Sequence, residues 1–386
     1  MIMINRVPTF ILALLLLFSC RKADVIVPPE EKPVAPGGEG NEITGFYLLN
    51  EGNMGSNKAT IDYFDYESGI YSKNIFAERN PGVVKELGDV GNDIQIYGNK
   101  LYVVVNCSHF VEVMDSKTAK HIATIPIPNC RYIEFEGRYA YVTSYAGPVE
   151  IDPNARLGYV AKVDTATLEV VAECTVGYQP EDMVICNGKL YVANSGGYRV
   201  PDYDNRVFVI DLESFQVVKT MEVGINLHRM VQDAYGNIYI SSRGDYYGTP
   251  SKTFIIDSNR DIVTDTLHTL PNSNMVAGGD SLYVLGNEFN YTTNSYTISY
   301  AIYDMVQKRI VSRNFISDGT EKKIKTPYGL AVNPQTREIF VTDAGDYVTP
   351  GVLYCFDRYG KLKWTAVTGD IPAHFAFTES KVDLDS

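Results

Sequence analysis

Tryptophan is almost missing from this chain: Trp364 stands alone beside 28 tyrosines and 16 phenylalanines in 386 residues. That scarcity counts against a flat indole platform of the kind that stacks on sugars. Histidine is sparse too, and no two of His109, His121, His228, His268 and His374 show metal-ligand spacing. The sequence contains no HExxH, GxSxG, P-loop or dinucleotide glycine fingerprint, so it carries no catalytic signature. Positive charge is in deficit, with 34 Lys and Arg against 47 Asp and Glu. The resulting net charge of -13 excludes nucleic acid or an anionic membrane face as the natural partner.

Long apolar runs are missing as well, apart from Phe10–Phe18 behind Arg6. This run is short for a membrane span and has the shape of a signal peptide over residues 1–19. It ends Leu17-Phe18-Ser19-Cys20, which resembles a bacterial lipobox with Cys20 as the lipidated first residue. Residues 20–44 are rich in Pro, Gly and Glu and have little to bury, so an extended, mobile tether is expected there. Five further cysteines show no CxxC spacing. Cys107 and Cys130 fall at the ends of loops expected to share one face of adjacent repeats. They are the favoured disulfide pair in an exported chain, with buried free thiols the equal alternative.

What the chain does have is repetition over residues 45–386. An alternating strand recurs roughly every 49 residues: FYLLN at Phe46, KLYVVVN at Lys100, YAYVTS at Tyr139, KLYVAN at Lys189, NIYISS at Asn237, SLYVLG at Ser281 and EIFVTD at Glu338. We call this strand B. A shorter apolar strand A precedes it across a Gly, Asn or Asp turn, strand C follows, and a weaker strand D returns. Strand C ends near Asp65, Asp115, Asp164, Asp211, Asp257, Asp304 and Asp357. These aspartates each open a turn and are expected to cap it rather than to catalyse.

The first recognisable strand is a B, at Phe46, and the last is an A, at Phe375. Pairing the two completes a seventh sheet. The expected fold is therefore all-β, a seven-bladed β-propeller of four-stranded blades sealed by its C-terminal strand.

In such a ring the B–C and D–A loops share one face, and the separation from B to C varies from roughly 13 to 23 residues. Variation confined to one loop class marks the face that carries function. These loops are rich in Gly, Asn and Tyr, and Asn194, Tyr145, Tyr198 and Tyr246 lie in them. The residues before each strand A form an inner ring at the channel mouth: Asp93, Arg131, Asp182, Arg229, Asn274, Tyr328 and His374, with His228 adjacent. Seven unlike side chains at equivalent positions suit an asymmetric polar ligand. All twelve are candidate ligand contacts. No catalytic or metal-ligating set is assigned.

The repeat G-x-x-P…LYV-x-N…V-x-V-x-D, clearest at Val176–Asp211, resembles the YVTN/YncE-like propellers. The lipobox, the tether, the opening FYLLNEGNMGSN and the long Tyr/Asn/Gly loops together resemble the BtuG-type surface lipoproteins of Bacteroides. That resemblance implies a lipid-anchored protein at the outer-membrane cell surface. Such a protein captures cobalamin or related corrinoids as ligand, without a catalytic cofactor, and passes them to a TonB-dependent transporter. Two alternatives stay open: a lactonase-like or lyase-like propeller enzyme, and a protein-interaction scaffold.

Overall fold

The computed structural model describes residues 30–38, 42–83, 86–379 and 382. The signal peptide and Cys20 lie outside the described residues. Seven antiparallel sheets follow one another around a ring. Their inner strands are Gly91–Tyr97, Cys130–Glu136, Pro180–Cys186, Leu227–Gln232, Asn274–Gly278, Pro327–Val332 and Pro372–Thr378. The last pairs with Gly45–Asn50, so the two ends of the chain build blade 1 together. The propeller is closed as the order of A and B strands requires.

The repeated Leu-Tyr-Val motif follows from the packing. Every B strand is sandwiched between two neighbouring blades, and alternate residues face opposite ways. Leu101 and Val103 join the cluster shared with blade 1, whereas Tyr102 and Val104 join the one shared with blade 3. The same division repeats around the ring. Tyr141, Tyr191, Tyr239 and Tyr283 each lead into the following blade, and Phe340 does so at the seam. Both faces of the strand are buried, so its sequence is a continuous apolar run. Each side chain of this kind contributes about 2 kcal/mol by leaving water.

All seven C-strand aspartates are scaffold. Each accepts a backbone N–H from its own turn, as with Glu67 on Asp65 and Ala166 on Asp164.

Two expectations differ from what is seen. The favoured disulfide is not formed: Cys107 and Cys130 are both free thiols. The Cys130 sulfur turns into the wall between blades 2 and 3 and contacts the carbonyl of Phe110 at 3.3 Å. Cys107 points elsewhere, toward Oδ1 of Asn106 at 3.4 Å. Burial pushes the Cys130 thiol up to about 12, which leaves it inert as a nucleophile. Part of the segment read as tether also has structure. Glu30–Pro33 pairs with the outer strand Ile70–Lys73 as a fifth strand of blade 1, and Val34 and Ala35 pack behind it. An added strand there covers an otherwise open edge.

Ending the chain after Asp370 removes the closing strand and exposes Phe46 and its neighbours. This truncation is expected to abolish cooperative thermal unfolding followed by circular dichroism. A melting curve matching the full chain would contradict closure.

Candidate functional site

Six of the seven inner hairpins slip by one residue at the end nearest the B–C loops, and in each the extra residue lies on strand A. A bulge re-aims side chains, so that two consecutive residues can face the channel instead of one. Hence Arg131 and Tyr132 both line the mouth, as do His228 and Arg229. The amide released by the slip is satisfied from strand B. Thr143 accepts from the Tyr132 N–H at 3.1 Å, Ser241 from Arg229 at 3.0 Å, and Thr342 from Gly329 at 2.7 Å.

The mouth encloses a cavity of about 440 Å³ bordered by blades on every side of the ring. Of the twelve candidate residues, Arg131, Tyr198, His228, Arg229, Tyr246, Asn274 and Tyr328 line it. The other five do not. Tyr145 is buried behind Arg131, with the guanidinium 4.8 Å from its ring. Asn194 is inside blade 4, donating to the carbonyls of Val192 and Arg206. Asp93 and Asp182 tie neighbouring blades together by accepting the N–H groups of Ile133 and Met230, each at 3.0 Å. His374 contacts Glu51 at 3.1 Å.

Two carboxylates that the sequence reading passed over organise the mouth. Glu181, almost fully buried, accepts from Arg131 at 3.1 Å, Arg243 at 3.3 Å, Tyr145 at 2.6 Å and Ser195 at 3.2 Å. Burial alone would raise its carboxyl, but the two guanidiniums and these hydrogen bonds outweigh it and hold the group below its ordinary value. Glu51 accepts from Tyr328 at 2.8 Å and contacts His374. The available signal was position: Glu51 and Arg243 each directly follow a B strand, where attention to the loop tyrosines hides them.

Below the rim the channel is acidic. Burial pushes the Asp182 carboxyl up to about 7, against the opposing charge of Arg229. Glu134 is driven well above the carboxylate range by burial and by the charges of Asp182 and Asp93. His228 is pushed well below its ordinary value, first by burial and then by Arg243, Arg229 and Arg131, so it is uncharged at neutral pH. Among the described residues no cluster of three His, Cys, Asp or Glu side chains has a geometry suited to a metal ion.

Aromatic side chains crown the rim. Tyr247 and Tyr291 stack at 5.2 Å, and Phe289 meets Tyr291 and Tyr296 edge-on or tilted. Tyr247, Tyr291 and Tyr296 are each more than half exposed, at 56, 59 and 56%. Tyr246 and Tyr347 occupy matching Gly-Asp-Tyr turns and both take positive φ, of 64° and 63°. Non-glycine residues seldom hold that conformation unless the surroundings fix it, and here both tyrosines border the cavity.

Residues 44–368 match a family described as a domain of unknown function, DUF5074. The chain belongs to the DUF5074 family. No curated protein sequence matches it. Solved structures give a broader likeness for this DUF5074 chain. A quinoprotein alcohol dehydrogenase-like protein from Bacteroides thetaiotaomicron shares 16% identity over 89% of this chain and 80% of its own, with a TM-score of 0.58. Kuenenia stuttgartiensis hydrazine synthase shares 15% over 69% and 76%, with a TM-score of 0.55. The dihydro-heme d1 dehydrogenase NirN shares 11% over 91% and 80%, with a TM-score of 0.52. At these identities the likeness is one of fold, and a propeller hosts many chemistries.

Replacing Arg131 by Ala removes one of the two cations that compensate buried Glu181. The expected loss is about 3 kcal/mol of stability, read by urea denaturation. A loss below about 0.5 kcal/mol, the range of an ordinary surface substitution, would contradict the structural role of the pair.

Proposed function

We propose that this DUF5074 protein captures a corrinoid on the loop face of its propeller and delivers it to a TonB-dependent outer-membrane transporter. In this reading lipidated Cys20 anchors it at the cell surface, and the propeller's reach is limited to the residues between Cys20 and the Glu30–Pro33 strand that is fixed to blade 1. The observation that carries the reading is the composition of the mouth. One open cavity is bordered by guanidiniums at Arg131, Arg229 and Arg243, by amides at Asn274 and Asn287, and by aromatic rings at Tyr198, Tyr246 and Tyr347.

A corrinoid is broad, has apolar ring faces, carries a fringe of amides and ends in one phosphate. Tyrosines suit its faces, asparagines its amides and a guanidinium its phosphate. The rim tyrosines are held by the Gly-Asp-Tyr turns and by backbone contacts such as Tyr291 N–H to the Tyr246 carbonyl at 2.9 Å. A mouth formed in advance lowers the ordering cost of binding. The likeness of the opening sequence and tether to the BtuG-type lipoproteins points the same way. The enzymatic alternative draws on one observation, the Asp182 carboxyl held up to about 7 inside the channel.

Isothermal calorimetry of the soluble chain with cyanocobalamin is expected to give a one-to-one complex with a dissociation constant below about 1 μM, some 8 kcal/mol of binding free energy. Heat no greater than dilution at tens of micromolar protein would remove the corrinoid reading.

A further inference from the structure

The three arginines at the mouth are not equivalent. Arg131 and Arg243 are both bound to Glu181, so each has a carboxylate in ion-pair contact. Arg229 has none among the described residues. Its Nη2 meets only Nδ1 of His374, at 3.5 Å, and its guanidinium lies 5.0 Å from the centre of the Tyr132 ring. Its Nε–H is buried without a partner. A buried guanidinium N–H left unpaired is costly, and the group cannot shed its charge.

The carboxylates that surround Arg229 are already engaged. Asp93 accepts the N–H groups of Ile94 and Ile133, and Asp182 those of Met183 and Met230. Glu51 is held by Tyr328 and His374. Burial raises the Asp182 carboxyl to about 7, which weakens the negative charge around the guanidinium.

Next to it, His228 supplies a second donor. The buried Tyr132 hydroxyl contacts His228 Nε2 at 3.0 Å, and among the described residues no other group is placed to accept its proton. Donation from Tyr132 to Nε2 leaves Nδ1 as the N–H of a neutral ring, and Nδ1 is buried without a partner. Two unpartnered donors therefore stand on consecutive residues of one bulge, and both residues line the cavity.

We propose that Arg229 and His228 form the seat of a single oxyanion, a phosphate or carboxylate carried by the ligand, and that Arg131 and Arg243 only position the mouth. This deepens the corrinoid reading and rests on it for the identity of the ligand, whose phosphodiester would occupy the seat. The seat itself calls only for an oxyanion.

The test is calorimetry on the full soluble chain and on Arg229→Gln, with cyanocobalamin, with dicyanocobinamide (a corrinoid lacking the phosphate) and with inorganic phosphate. Arg229→Gln is expected to weaken cyanocobalamin binding roughly tenfold or more and to leave dicyanocobinamide within about twofold. Arg229→Lys, which keeps the charge and loses the fork, should fall between. Equal losses for both corrinoids, or no loss for either, would overturn the proposal while leaving corrinoid capture intact. If neither corrinoid binds, corrinoid capture fails and the seat is judged by inorganic phosphate alone. Weaker phosphate binding by Arg229→Gln supports the seat, and equal or absent binding overturns it. Should the Gln variant not fold, competition decides: millimolar phosphate is expected to weaken cyanocobalamin but not dicyanocobinamide binding to the unaltered chain, and equal effects overturn the seat.

Discussion

Six residue pairs between Gly45–Asn50 and Pro372–Thr378 join the two ends of the folded body, and the rest of the ring depends on them. Without that pairing, blade 1 has no inner strand and blade 7 has no neighbour to cover Phe340. Phe46 is the centre of the seam, with the rings of Phe64, Phe340, Phe375 and Phe377 all within 6.1 Å of it or of one another. Closure also brings His374 beside Glu51. The seal and the rim of the cavity thus share residues, and stability of the ring is coupled to the geometry of the mouth.

A ring of equivalent strands offers no chemistry until its symmetry is broken. In this protein the break comes from the bulges on the inner strands, which turn extra polar side chains into the channel. Glu181 then divides the resulting charges. By holding Arg131 and Arg243 it converts two cations into scaffold, while Arg229 is left to face the cavity with no carboxylate in contact among the described residues. The number of arginines at the mouth therefore overstates the number able to meet a ligand.

The architecture was legible because it is written in alternation. Leu101 and Tyr102 face different neighbours, and that pattern recurs often enough to count blades and to see that the last strand must pair with the first. The turn aspartates were legible for a similar reason, since Asp164 and its equivalents each cap an N–H group two or three residues further along their own turn. The site was legible only in part. A one-residue slip has no local residue signature, so Tyr132 and Glu181 were missed although their neighbours Arg131 and Asp182 were found. Arg131 and Arg229 look alike in sequence, and what separates them is a carboxylate 50 residues away from Arg131. Cys107 and Cys130 lie on adjacent blades, but the direction of each side chain, which sequence position does not convey, sends the two sulfurs apart.

The central claim is that function resides at the mouth, where repetition fails, and not on the repeated surfaces. Hydrogen–deuterium exchange with and without saturating cyanocobalamin tests it most directly. Protection is expected in the peptides that carry Glu51, Tyr198, His228–Arg229, Tyr246–Tyr247 and Tyr347, with none at the seven C–D turns. Protection centred on those turns or on the outer strands, with the mouth unchanged, would contradict the account.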